Sequence, residues 1–343
     1  MRRREVLGAA AAAAGVATLA APTAQAQQTG SGSAGWRPDR PVTLIVPWAA
    51  GGSTDQMARI AAVELEEALG QKWVVVNQPG ASGSIGTRNA MMAAKDGLTW
   101  AAGAAIDIGC YRVLGLLDTG LDDWNLFFAV ANVNTIAANP NAPYKDFGQL
   151  LEAMKARPNI AVATAGQSSA GRNVMEAVRA ASGIQYRMAP YDGGNPAVLA
   201  AVAGETPVVA QLLVEMAEMI RGRRLVPLAV QAEQPVTLQG FGEIPSLRRW
   251  LPDIPTPLNY FGLWCPKGTP EPVAQTMAGV WRERIANSQR LKDYAAQRAA
   301  VFTPLALQEA RDRAWVAVRQ TAWLYHDAGQ SKVSPDSVGI PRL

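Results

Sequence analysis

Apolar positions recur along the chain with two periods, and each switch of period marks an element. Val42, Leu44 and Val46, with Ile45 between them, form a β-branched run ended by Pro47, too short for a helix and read as a buried strand. Over 54–69 the spacing changes: Met57, Ile60, Ala61, Leu65 and Ala68 fall three or four residues apart, which predicts an amphipathic helix stopped at Gly70. The alternation continues with a strand at 73–76, a helix at 85–94, a strand at 99–102, a helical stretch at 111–117 and a strand at 127–133. Strand and helix in turn predict α/β architecture with mostly parallel sheets.

A turn cluster at 139–144 precedes a second unit written in the same way. It has a helix at 146–156, a strand at 160–164, a small-residue turn at 165–171, a helix at 172–182, a stretch at 187–190 leading into the 191–196 turn, a helix at 197–203, and strands at 208–212 and 226–230. The proline-dense 252–257 is a hinge candidate, and 260–264 reads as a strand returning to the first unit. Amphipathic helices follow at 270–286 and 305–328, the latter with Trp315 and Trp323 on a buried stripe, and 329–343 reads as a tail or a strap. The division expected is a discontinuous first domain of 37–138 with 259–328 and a second of 139–258. Two such units with glycine-rich turns fit a clamshell with its ligand between the lobes.

The chemistry concentrates in two turns. After the first strand come Trp48, Ala49, Ala50, Gly51, Gly52, Ser53, Thr54 and Asp55. The glycines let the backbone approach a ligand, Ser53 or Thr54 can cap the helix, and Asp55 suits its positive end. After the second strand, Gly80, Ala81, Ser82, Gly83 and Ser84 form a similar turn. A strand, a glycine turn and a helix start leave N–H groups free to cradle an anion, although most such turns are plain connections. Two in tandem, both bearing serine, predict one shared anionic site. Asp107 can accept a hydrogen bond from an amine or hydroxyl, but a solvated loop acid needs no such role.

These positions also carry a resemblance. Arg40-Pro41, the 42–46 strand and Pro47-Trp48 are followed by Ala50-Gly51-Gly52, Asp55, Ala58-Arg59 and Leu69-Gly70. Asn77, Pro79-Gly80-Ala81, Gly83, Ile85-Gly86 and Asp96-Gly97-Leu98-Thr99 complete the series. The order and spacing resemble the Bug-type (TctC-like) periplasmic solute-binding proteins of tripartite tricarboxylate transporters, over most of the chain after Trp36. The resemblance implies a type II-like periplasmic-binding-protein clamshell, acting as a monomer, that captures a small organic carboxylate and delivers it to transporter membrane subunits. One carboxylate of the solute would sit on both turns, with Trp48 walling the pocket. The second lobe would contribute Gln167, Ser168, Ser169 and the neighbourhood of 191–195. Arg172, where the family more often has histidine, would fork onto a second carboxylate or simply start a helix at the surface. Asp192 stands where a basic residue is usual and Pro207 near an expected aspartate, so the family's solute preferences do not transfer.

Export follows from the first residues. Arg2-Arg3-Arg4, an Ala-rich apolar stretch and Ala24-Gln25-Ala26 predict a removable leader over 1–26, twin-arginine-like or general secretory, then a Gly/Ser/Gln tether over 27–36. The mature chain is expected in the periplasm. Of 343 residues, 49% are hydrophobic and 17% charged, enough for a large core, and the net charge of +4 falls with the arginine-rich leader, so nothing points to nucleic acid. Cys110 and Cys265 are expected as free buried thiols.

Rival functions are thin in residues. An exported hydrolase needs an elbow serine, yet Gly80-Ala81-Ser82-Gly83-Ser84 has serine where the Gly-x-Ser-x-Gly pattern ends in glycine. His326 is the sole histidine, so a triad has one candidate base, and there is neither a zinc set nor a phosphate-binding glycine loop with lysine. No cofactor is expected, and an all-carboxylate calcium site stays open. A subunit presenting its solute to a membrane receptor would need the same clamshell.

Overall fold

The computed structural model describes residues 35–342. The leader over 1–26, most of the tether over 27–36 and the last tail residue lie outside them. The first half runs β1 (Val42–Val46), α1 (Ser53–Leu69), β2 (Trp73–Asn77), α2 (Ser84–Met92), β3 (Thr99–Ala104), α3 (Ala105–Leu114) and β4 (Trp124–Asn132). Next come β5 (Asn134–Ala138), α4 (Phe147–Ala156), β6 (Ala161–Thr164), α5 (Ala170–Ser182), β7 (Arg187–Pro190) and α6 (Gly194–Ala203). Then follow β8 (Val208–Leu212), α7 (Leu213–Arg221), β9 (Val226–Val230) and a small hairpin of β10 (Val236–Leu238) and β11 (Gly242–Ile244). The chain ends with β12 (Asn259–Pro266), α8 (Glu271–Glu283), α9 (Gln289–Arg298), β13 (Val301–Ala306) and α10 (Leu307–Asp327).

Two sheets result, ordered β13-β4-β12-β3-β1-β2 and β7-β6-β8-β5-β9. Both are mixed rather than mostly parallel. β1 lies parallel to β2 and β3, and β6 parallel to β7 and β8. β12 runs against β3 and β4, and β5 against β8 and β9. The reversal comes from the strands that cross between the sheets, each of which enters its new sheet from the opposite end. The crossing also comes earlier than the turn cluster suggested. Residues 134–138, assigned from sequence to the first unit, form β5 in the middle of the second sheet. Turn residues mark only the chain's exit from that strand, whereas the crossing is a single residue, Val133, buried between two apolar runs.

Each sheet is covered on both faces, which explains strands apolar at every position rather than at alternate ones. Leu44, Val46 and Phe127 pack against Met57, Leu65, Trp281 and Leu291 of α1, α8 and α9. Ile45, Leu126 and Phe128, one residue out of phase, pack against Ile108, Val318 and Tyr325 of α3 and α10. The second sheet divides likewise between Leu150 and Val178 of α4 and α5 on one face and Val198 and Met216 of α6 and α7 on the other.

Near the end of the chain, residues 301–306 form an edge strand on β4, so the helix expected from 305 begins at Leu307. Trp315 and Trp323 are not its buried stripe. That stripe is Ala310, Ala314, Ala317, Val318, Thr321, Ala322 and Tyr325, and small residues suit its close approach to α3. The tryptophans lie half-buried at its flanks under the guanidinium groups of Arg311 and Arg342, 4.4 and 4.1 Å from the ring centres. After α10 the chain straps back: Lys332 N–H donates to the Val113 carbonyl at 2.7 Å, and Ile340 is buried. Cys110 and Cys265 are free and buried, and burial pushes both thiols up, Cys265 to about 11.

Candidate functional site

Between the two sheets lies a cavity of about 30 Å³, room for a water or two. The end of β1 and the start of α1 wall one side through Trp48, Gly52, Ser53 and Thr54. The starts of α5 and α7, with Ser169, Gln211 and Glu215, wall the other. Asp107, Asn259 and Phe261 close the floor.

The first turn places Trp48, Gly52, Ser53 and Thr54 on the cavity wall. Gly52, with extended backbone at the N-cap, supplies no side-chain cap, so Ser53 and Thr54 present their N–H groups without an intrahelical partner. Asp55 braces the loop from below. It accepts the Gly51 N–H at 2.9 Å, Arg59 Nε at 3.0 Å and Asn77 Nδ2 at 3.0 Å. Burial pushes its carboxyl up, but these three donors more than offset that and hold it below the usual range. Ala50 and Gly51 are exposed on the outer side, away from the cavity.

The second turn is built differently. Ala81 and Ser82 both adopt left-handed backbone, at φ of 46° and 56°, which is strained for side-chain-bearing residues. What holds them is the opposite half. Ser82 Oγ accepts the Gln167 N–H at 2.8 Å, and the Ser82 carbonyl accepts Ser168 Oγ at 3.2 Å and the Tyr111 hydroxyl at 3.0 Å. Gly166 permits this approach, since a Cβ there would lie 2.7 Å from Ser82 Oγ. Ser84 Oγ donates to the Ala81 carbonyl at 2.8 Å, inside the turn. Gly80, Ala81, Ser82, Gly83 and Ser84, with Gln167 and Ser168, therefore join the halves beside the cavity rather than line it.

Two further candidates also sit elsewhere. Arg172 is buried, with Nη1 donating to the Gln167 carbonyl at 3.0 Å, Nη2 to Gln330 Oε1, and its guanidinium 5.1 Å from the Tyr325 ring centre. The strap after α10 brings Gln330 to it, and no local pattern around 172 could announce a partner 158 residues away. The Asp192 carboxylate is exposed, while its carbonyl accepts the Ala49 N–H at 3.3 Å. Ser169 both lines the cavity and caps α5, accepting the Arg172 N–H at 3.3 Å.

Sequence reasoning missed Glu215 and set a solvated-loop reading beside an acceptor role for Asp107, the two acids at the centre. Glu215, from the first turn of α7, reaches across the cleft and accepts the Ser53 N–H at 3.0 Å through Oε1. Gln211, in the amide orientation that satisfies both its ends, donates to Glu215 Oε2 at 3.3 Å and accepts from Ala165 N–H at 2.7 Å. Gly194 leaves space for this carboxylate, which a Cβ would overlap. Burial raises Glu215 above the usual range against the opposing N–H donors of Ser53 and Leu212. Asp107, far from a solvated loop acid, is buried in the first turn of α3, and burial and then the charge of Glu215 push it well above the carboxylate range. A lone acid in the apolar run Leu213-Val214-Glu215-Met216-Ala217, just after a buried strand, was the available signal.

Comparison with known proteins converges on one family. The sequence model of the tripartite tricarboxylate transporter family receptor matches residues 57–309. Protein BugT of Bordetella pertussis is 29% identical over 298 residues, covering 85% of this chain and 89% of that protein. The structure of periplasmic binding protein BugD superposes with a TM-score of 0.78 at 24% identity, over 86% of this chain and 99% of that one. MatC from Rhodopseudomonas palustris with bound malate gives 0.73 at 24% identity, over 84% and 98%.

Proposed function

Because the chain belongs to the tripartite tricarboxylate transporter receptor family, a family of solute-binding proteins, we propose that it captures a small organic carboxylate between its sheets and delivers it to transporter membrane subunits. The observation that carries this reading is the amino end of α1, which opens onto the cleft with Ser53 and Thr54. Fixed N–H dipoles receive an anion without a buried countercharge, and the helix end adds about half a positive charge. Trp48 and Phe261 supply apolar walls, and Ser169 adds a hydroxyl from the opposite half. The structural neighbour MatC holds malate, a small organic carboxylate.

The chain works in the periplasm as a monomer after removal of its leader. Among the described residues no helix is long and apolar enough to cross a membrane. The two lobes, one on each sheet, part and close on the solute. The bonds from Ser82 to Gln167 and Ser168, and from Ala49 to Asp192, support closure as a step that binding stabilises. Binding rather than turnover is supported by the relatives, which are solute-binding proteins; His326 faces Ser331 Oγ at 2.9 Å and is not among the cavity's lining residues.

A thermal-shift screen of small organic acids on the mature chain tests the reading, because a ligand selective for the folded state raises Tm by mass action. A specific acid is expected to raise Tm, and Ser53→Ala to reduce that rise. Absence of a shift with every acid, or a shift unchanged by Ser53→Ala together with a ligand seated away from α1, would remove it.

A further inference from the structure

The charge of the cavity is the property that carboxylate capture alone does not explain. Asp107 is 5% exposed, lines the cavity, and its Oδ1 has no hydrogen-bond partner. Glu215 faces the same space from the other half. None of the lining residues is basic. Of the arginines nearby, Arg172 is spent on Gln167, Gln330 and the Tyr325 ring, and Arg298 Nη1 donates to the Val214 carbonyl. Asn259, 1% exposed on the floor, has both Oδ1 and Nδ2 unpartnered.

A solute carboxylate placed at the α1 end would therefore join one carboxylate that already accepts the Ser53 N–H and a second on the floor. In the folded chain burial holds Asp107 and Glu215 toward their protonated forms, and a solute that meets them ionised must bring positive charge, which half a unit at the helix end does not supply. A hydroxyl or neutral amide on the solute would satisfy Asp107 Oδ1 but leave the charge. A cationic nitrogen supplies both the missing donors and the missing charge, and buried carboxylates are kept in folded proteins chiefly where such a partner meets them.

We infer that the solute carries a cationic nitrogen as well as its carboxylate, a small zwitterion whose ammonium lies between Asp107 and Glu215 with the Asn259 amide oxygen as a further acceptor. This rests on the carboxylate reading above, which assigns the other end of the solute to α1. With Asp107 ionised, the same arrangement disfavours dicarboxylates, whose second anion would meet it.

Calorimetric titration of the mature chain with probes matched in chain length separates the two claims: 2- and 4-aminobutyrate, butyrate, succinate and butylamine, beside a wider set of amino acids and their des-amino analogues. The expected result is that zwitterions bind at least about tenfold more tightly than the matched acids lacking nitrogen. Asp107→Asn should cut that advantage to about threefold or less. Glu215→Gln should act in the same direction and serves if Asp107→Asn does not fold. Tightest binding by succinate or butyrate overturns this inference and leaves the carboxylate reading standing. Butylamine as tight as 4-aminobutyrate supports the ammonium site and removes the carboxylate reading instead. No binding by any zwitterion of the set also overturns the inference.

Discussion

The turns at 48–55 and 80–84 each join a parallel strand to a helix, each carry glycines and serines, and lie side by side on β1 and β2. Only the first opens onto the cavity. There the backbone conforms to ordinary rules: the helix starts at an extended glycine, and Asp55 satisfies the loop while the Ser53 N–H turns across the cleft to Glu215. In the second turn Ala81 and Ser82 are left-handed, and Ser82 directs both its hydroxyl and its carbonyl at the other half. Similar composition thus yields a helix end on the cavity wall in one case and a clasp between the halves in the other. What separates them is which partner lies across the gap, a matter of tertiary placement.

The sharpest way to break that contrast is to crowd the clasp. Gly83 sits at φ 84°, and a Cβ there would lie 2.7 Å from the Tyr111 hydroxyl and 3.1 Å from the Trp48 ring. Gly83→Val is expected to cost about 3 kcal/mol, read by denaturant unfolding. Next, Asp55→Ala leaves the Gly51 N–H and Asn77 amide without their acceptor and is expected to cost about 2 kcal/mol. Gain of affinity from this change would mean that Asp55 competes with the solute rather than braces the loop.

Acidity separates the brace from the centre of the site. Burial raises Glu215, and burial together with Glu215 raises Asp107, so the folded chain holds protons that the unfolded chain would release. The stability this contributes is full below the ordinary carboxylate pKa of about 4 and is lost as pH rises through the raised values. Asp55, whose burial is outweighed by Arg59, Gly51 and Asn77, has the opposite sign: its contribution is present above the ordinary pKa and lost as pH falls through the lowered one. Tm of the ligand-free chain is therefore expected to decline from weakly acid pH upward, and Glu215→Gln to flatten that decline. Asp55→Asn should flatten only the acid limb.

The smallest effect distinguishes clasp from cradle most directly. Ser82→Ala removes one acceptor from the Gln167 N–H and is expected to cost about 1 kcal/mol, weakening every solute by a similar factor. Ser53→Ala should instead weaken solutes in proportion to the carboxylate they present. Equal, ligand-dependent losses from both would show that the 80–84 turn touches the solute after all.

Much of this was written locally. The β1 run, the three-and-four spacing of α1, Gly70 as its stop and the family pattern up to Thr99 fixed the strand-turn-helix at the heart of the cleft, because period and turn chemistry act between residues close in the chain. The site was only half legible. Gly52, Ser53 and Thr54 sit where their neighbours say they should, but Glu215, Asp107, Gln211 and Asn259 meet them only through the packing of two sheets.

Sequence by itself determined the alternation of elements, the apolar strands that demand helices on both faces, and the glycine turn that leads from β1 into α1. Tertiary structure decided which acid faces that end, that Arg172 is drawn away to Gln330 and Tyr325, and that Ser82 of the 80–84 turn is bonded across to Gln167 and Ser168. The reason is physical: hydrophobic period and backbone preference are properties of neighbours in the chain, whereas the charge of a cavity is a sum over residues brought together only when the chain folds.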